Sequence, residues 1–114
     1  MNLSFIIPTL NEERTLLSNL IFLKRIRKYL NAELIVVDGG SHDSTVNIAK
    51  TLSCNVYISE PSRSKQFNLG AKHAKGKYLV FLHADTVLDN DAINHLKKID
   101  KNTQWGFFNI KIKS

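Results

Sequence analysis

Two titratable side chains stand two positions apart at the end of an apolar run: YLVFLHADT, residues 78–86, closes on His83 and Asp85. One carboxylate at a strand end can hold a hard divalent cation if phosphate oxygens and waters complete its shell. On an extended strand His83 falls on the same side as Asp85, within reach of the ion or of a nucleotide. A histidine bonded to a carbonyl and an aspartate opening a turn would explain the same pair without any ligand.

Other polar clusters also follow apolar runs. LSFII leads to Pro8, Thr9, Leu10, Asn11 and Glu12. ELIVV leads to Asp38 and, across Gly39 and Gly40, to Ser41 and Asp43, while NVYIS leads to Arg63. Helix capping alone accounts for Asn11, Asp43 and Asp89 taken singly. Neither G-x-G-x-x-G nor G-x-x-x-x-G-K-[ST] occurs, so the commonest glycine cradles for phosphate are absent. A diphosphate bound here would be neutralised by a metal or by basic side chains.

Such residues need a scaffold that brings its strand ends together. Residues 3–7 and 33–37 read as buried strands, residues 55–59 and 78–82 as the third and fourth strands, and residues 105–113 as a final alternating one. Between them, Asn11 is expected to cap a helix with Glu12 and Glu13 in its first turn. Leu16, Leu20, Leu23 and Leu30 form that helix's stripe, with Leu17 and Ile21 alongside. Further helices are expected through Ile48 and Leu52, through Phe67, Gly70, Ala71 and Ala74, and through Ile93, Leu96 and Ile99 after an Asp89 cap. Alternation of strand and helix predicts right-handed crossovers and a doubly wound α/β fold, with a mainly parallel sheet covered on both faces. Ligands of such sheets bind beyond the carboxyl ends of the strands, where the strand order reverses.

At 114 residues the chain has room for one domain. Cys54 is the only cysteine, which excludes an internal disulfide and makes a cytoplasmic setting the default. No apolar run reaches the roughly 20 residues of a membrane span, and MNLSFIIPTLNEE lacks the basic start of a signal peptide. The formal charge of +6 points to acidic partners. Much of it lies in LKRIRKYL, residues 23–30, either a solvated helix face or a peripheral contact with anionic lipid. Tyr29 is the one aromatic within that run, which argues against nucleic acid.

The motifs IIPTLNEE, LIVVDGGSHDST and SRSKQFNLGAKHAKGKYLVFLHADT, in this order and spacing over residues 3–86, resemble those of family 2 glycosyltransferases of the GT-A fold. HADT stands in place of the usual D-x-D. With the R-x-x-Q-x-N-x-G-A pattern before it, it is similar to a bacterial branch labelled arsenosugar-biosynthesis type.

The resemblance implies a nucleotide-sugar site, with a UDP-sugar as donor and Mn²⁺ or Mg²⁺ as cofactor. Pro8, Thr9, Leu10, Asn11 and Glu12 would line the nucleoside pocket, with Glu12 near the ribose or base. Asp38 would accept from the uracil imide, with Gly39 beside it. Arg63 would approach the diphosphate, followed by Gln66 and Asn68. Asp85 matches the metal-binding aspartate of D-x-D, His83 replaces the first aspartate, and Ala84 lies between them. One negative charge fewer implies weaker metal binding or greater reliance on Arg63.

The family's general base and acceptor surface lie beyond the D-x-D strand. The sequence here reads as the donor-binding half, with residues 105–114 opening the other half. A truncated frame, a fragment and a half-enzyme completed by a second chain are the competing explanations. A non-catalytic nucleotide-binding module is the alternative function, with self-association expected around Trp105, Phe107 and Phe108. A phosphatase of the haloacid dehalogenase type is disfavoured, because Asp-x-Asp is missing after the first strand.

Overall fold

The computed structural model describes residues 2–52, 54–99 and 107–109. Their elements alternate: β1 Leu3–Thr9, α1 Glu13–Leu30, β2 Ala32–Asp38, α2 Thr45–Thr51, β3 Asn55–Ile58, α3 Arg63–His73, β4 Tyr78–Phe81, α4 Asn90–Ile99 and β5 Phe107–Asn109. The strands pair in parallel in the order β3-β2-β1-β4-β5. This is the expected doubly wound α/β sheet, and the order reverses between β1 and β4.

Every residue of β1 is buried, as a central strand covered on both faces requires. Pro8 belongs to this strand, opposite Val37. Pairing with β4 ends at Ile6 and Phe81, apart from Leu82 N donating to Ile6 O. The amide that Pro8 lacks therefore falls where no neighbour needs it.

On one face, Phe5, Ile7, Val36 and Val80 pack beneath Leu16, Leu20, Leu23, Ile26 and Leu30 of α1, Ala49 of α2 and Leu96 of α4. On the other, Ile6, Ile35 and Val37 meet Phe67, Leu69 and Ala71 of α3. Fully burying each large aliphatic side chain stabilises the fold by about 1.5–3 kcal/mol. Gly70 lets α3 lie close to the sheet, since a Cβ there would stand 2.5 Å from Ile6 Cγ2.

Two expectations need correction here. α1, α2 and α4 share a face, yet the chain moves outward in opposite directions from β1 and from β4. The β4–α4–β5 connection thus has the opposite hand to the other three. Its apolar residues Ala92, Ile93 and Leu96 are covered by the α1 cluster. Further, Leu17 and Ile21 do not join the buried stripe but remain 46% and 42% exposed. The final-strand pattern at residues 105–113 and the self-association surface lie outside the described residues, apart from the backbone of 107–109.

Candidate functional site

The pairing register sets Thr9 opposite Asp38, and Asp38 opposite Ile58. The carboxyl ends of β1, β2 and β3 are therefore level, and their loops leave side by side. Thr9 Oγ1 donates to Asp38 Oδ1 at 2.7 Å. Asp38, wholly buried, also accepts from Ser41 Oγ at 2.6 Å, Ser41 N at 2.7 Å and Gly40 N at 2.9 Å. Burial alone would raise its pKa, but these bonds, led by the Ser41 hydroxyl and amide, hold it below the usual carboxylate range. Both carboxylate oxygens are engaged with the loop. Gly40 takes φ +99°, the left-handed turn that glycine permits.

The β1–α1 and β2–α2 loops are stitched to one another. Asn11 N donates to Ser41 Oγ, and His42 N donates to Asn11 Oδ1, both at 2.8 Å. Glu12 N donates to Thr45 Oγ1 at 2.8 Å, while Ser44 N donates to Glu13 Oε2 at 3.0 Å. Asp43 accepts from Glu13 N at 3.3 Å and Thr45 N at 2.9 Å, serving the first turns of α1 and α2 together. Its hydrogen bond from the Thr45 hydroxyl is the main reason its pKa is lowered. The expectation that Asn11 caps α1 is thus corrected. It adopts φ +54° and spends its side chain on the neighbouring loop, while Glu12 occupies the cap position without a side-chain bond.

Behind this double loop, Gln66 is buried and donates Nε2 to Thr9 O at 3.0 Å and Val37 O at 2.9 Å. It bridges the ends of β1 and β2 from α3. A Cβ on Gly39 would meet Pro61 Cα at 3.0 Å and Gln66 Cδ at 3.3 Å, so the glycine permits this close approach.

Beyond β4 the backbone turns rather than extending. Thr86 N donates to His83 O at 3.0 Å, and His83 N donates to Thr86 Oγ1 at 2.9 Å. The extended-strand placement of His83 and Asp85 is accordingly corrected to a turn, in which both side chains are exposed. Ala84 is buried, and its carbonyl accepts from Asn19 Nδ2, tying the turn to α1.

Glu12 gathers these elements. Its carboxyl is raised above the usual range, first by burial and then by the nearby charges of Asp85 and Asp43, with Arg63 and His83 opposing. The loops after β1, β2, β3 and β4 therefore contribute charges to one neighbourhood. Beside it lies a cleft of about 220 Å³ lined by Pro8, Thr9, Leu10, Glu12, Arg63 and Gln66, closed by Pro61 and Ser62. Asp38 and Gly39 sit behind the cleft, while Asn11 and Asn68 are exposed outside its lining. Sequence reasoning missed Thr45, Asn19 and Ser62. Of these, Ser62 carried a signal, a serine after proline at a helix start, and it accepts from Lys65 N.

Among the described residues no group of three or more His, Cys, Asp and Glu could hold a metal. Asp85 and His83 stand exposed on the turn after β4. No helix among the described residues is long and apolar enough to cross a membrane.

Residues 4–104 match the model of the family described as Glycosyl transferase family 2. Over 79 residues the chain is 37% identical to an uncharacterized glycosyltransferase of Rickettsia prowazekii, covering 63% of this chain and 25% of that protein. Over 99 residues it is 31% identical to the poly-beta-1,6-N-acetyl-D-glucosamine synthase of Staphylococcus aureus, covering 79% and 23% respectively. The chain spans about a quarter of the length of these relatives. Among solved structures, S. aureus TarS in complex with UDP-GlcNAc superposes with a TM-score of 0.72 at 25% identity, covering 89% of this chain and 32% of that one. The glucosyl-3-phosphoglycerate synthase of Mycobacterium tuberculosis, in complex with Mn²⁺ and UDP-glucose, gives 0.62 at 26% identity, covering 74% and 33%.

Proposed function

The chain belongs to glycosyl transferase family 2, and on that footing we propose that its cleft binds a nucleoside diphosphate sugar and serves transfer of the sugar to a hydroxyl acceptor. The observation that carries this reading is the cleft at the strand ends, where Glu12 and Arg63 share one lining with Pro8, Thr9, Leu10 and Gln66, while the charges of Asp85, Asp43 and His83 act on Glu12 from beside it. UDP-sugars are favoured as donors because similar structures hold UDP-GlcNAc and UDP-glucose.

Pro8, Thr9 and Leu10 wall the nucleoside, and the Glu12 carboxylate accepts from the ribose hydroxyls. Arg63, at the first turn of α3, places a guanidinium on the diphosphate, where charge grows as the sugar departs. Asp38 braces the loop. It becomes available to a uracil imide when the Ser41 hydroxyl, the most easily rotated of its donors, turns away. A divalent cation, Mn²⁺ or Mg²⁺, would be held by Asp85 with His83 adjacent, and would neutralise the diphosphate. Asp89 is occupied in capping α4, accepting from Ala92 N at 2.7 Å. Asp91 stands exposed in the first turn of the same helix. Nucleotide binding without transfer is accordingly the second reading.

Calorimetric titration tests the site. UDP is expected to bind more tightly with Mn²⁺ than without, and Asp85→Ala is expected to abolish that gain. Were no nucleoside diphosphate to titrate at millimolar concentration, the donor-site reading would fail. Release of UDP from a UDP-sugar upon addition of acceptor separates transfer from binding alone.

A further inference from the structure

A second concave surface lies on α1, away from the donor cleft. It is a groove of about 490 Å³ lined by Lys24, Arg25, Arg27 and Lys28 together with Ile21 and Tyr29. Among the described residues no carboxylate lines it, and α1 carries no acidic residue after Glu13. None of the four cations has a salt-bridge partner among the described residues. Ile21 and Tyr29 are 42% and 76% exposed. Leu17, one helical turn before Ile21, shares its side of the helix, and Lys24, Arg25 and Lys28 continue that side. Arg25 is about 18 Å along the axis from Glu13 at the helical rise per residue, so a diphosphate in the donor cleft does not neutralise this face.

We propose that this face docks the protein on a bilayer bearing anionic lipid headgroups, with Leu17 and Ile21 entering the interfacial layer and Lys24, Arg25 and Lys28 meeting lipid phosphates. Charge complementarity selects an anionic partner, since four cations without acidic neighbours repel one another until an anion arrives. The exposed aliphatic pair favours a bilayer over nucleic acid, because single-stranded nucleic acid is gripped by aromatic stacking and the groove holds one aromatic among the described residues. The inference is independent of the donor-site reading.

Co-sedimentation of the whole chain with phosphatidylcholine vesicles, with and without phosphatidylglycerol, tests it. Wild type is expected to partition onto the anionic vesicles alone and to be released in large part, though not wholly, by salt. Each cation near an anionic surface multiplies partition about fivefold, so Lys24→Gln/Arg25→Gln/Lys28→Gln is expected to bind on the order of a hundredfold more weakly. Leu17→Ser/Ile21→Ser is expected to remove the fraction that resists salt. Glutamine preserves helix propensity, so the triple variant is expected to keep its UDP titration and thermal unfolding. Leu17→Ser/Ile21→Ser is expected to keep the titration but to unfold at a somewhat lower temperature, because serine is a poorer helix former than leucine. Equal partition onto neutral vesicles, or undiminished binding by the triple variant, overturns the proposal. So does tighter binding of a single-stranded oligonucleotide that the Leu17 and Ile21 changes leave unaltered.

Discussion

Thr9 Oγ1 donates to Asp38 Oδ1 at 2.7 Å, joining the last residue of β1 to the last residue of β2 inside the protein. The two are also register partners in the sheet. A carboxylate that would interest a ligand on sequence grounds is thus also the post around which two loops are built.

Asp38→Asn puts an amide NH₂ where the protein presents donors, leaving buried N–H or O–H groups without acceptors. We expect a loss of about 2–4 kcal/mol at neutral pH. Because hydrogen bonds depress the native pKa of Asp38, its contribution is complete above the unfolded value near 4 and disappears as pH falls through the lower native value. Urea unfolding at neutral pH and near pH 3 checks this. A gap between wild type and variant that stays constant would contradict it.

Gln66→Ala removes the donor shared by Thr9 O and Val37 O. Two strand-end carbonyls lose a partner, which is expected to cost about 1–3 kcal/mol and to loosen the cleft wall. Denaturation and UDP titration should both register the change. Unchanged stability would show that water replaces the amide.

Glu12 is raised by burial and by the charges of Asp85 and Asp43. A carboxyl whose native pKa exceeds its unfolded one is penalised when ionised, and the penalty lifts as pH falls through the native value. Glu12→Gln is therefore expected to raise Tm at neutral pH, with the gain gone below about pH 4. The same change is expected to weaken UDP binding by roughly tenfold, through loss of charged acceptors for the ribose. Stability and binding moving in the same direction would refute the assignment.

Gly70→Ala gains about 1 kcal/mol of helix propensity but drives a methyl to 2.5 Å from Ile6 Cγ2 and 3.2 Å from Val37 Cγ2. Overpacking of about 1–3 kcal/mol should win, giving net destabilisation. In an Ile6→Ala background the cost should shrink, and a double-mutant cycle reads the difference. Additive effects would mean that α3 shifts instead of colliding.

Local pattern carried most of the scaffold. Apolar runs such as ELIVV announce strands buried on both faces, because a parallel sheet between helices leaves no polar side. The Leu16, Leu20, Leu23 and Leu30 spacing announces a helix, because 3.6 residues per turn return those positions to one side. It did not tell Ile21 from Leu20, since the width of the covered stripe depends on what the helix meets.

The sequence alone determined which segments form strands and that polar residues follow each of them. Only the tertiary structure decided how those residues divide their work. Asp38 is saturated by Thr9, Gly40 and Ser41, Asn11 serves the His42 amide instead of its own helix, and Gln66 clamps two strands. The physical reason is separation along the chain. Thr9 and Asp38 are 29 residues apart, and Gln66 and Thr9 are 57 apart. Periodicity reports a residue's own element, whereas the partner of a buried polar atom is chosen when distant elements pack.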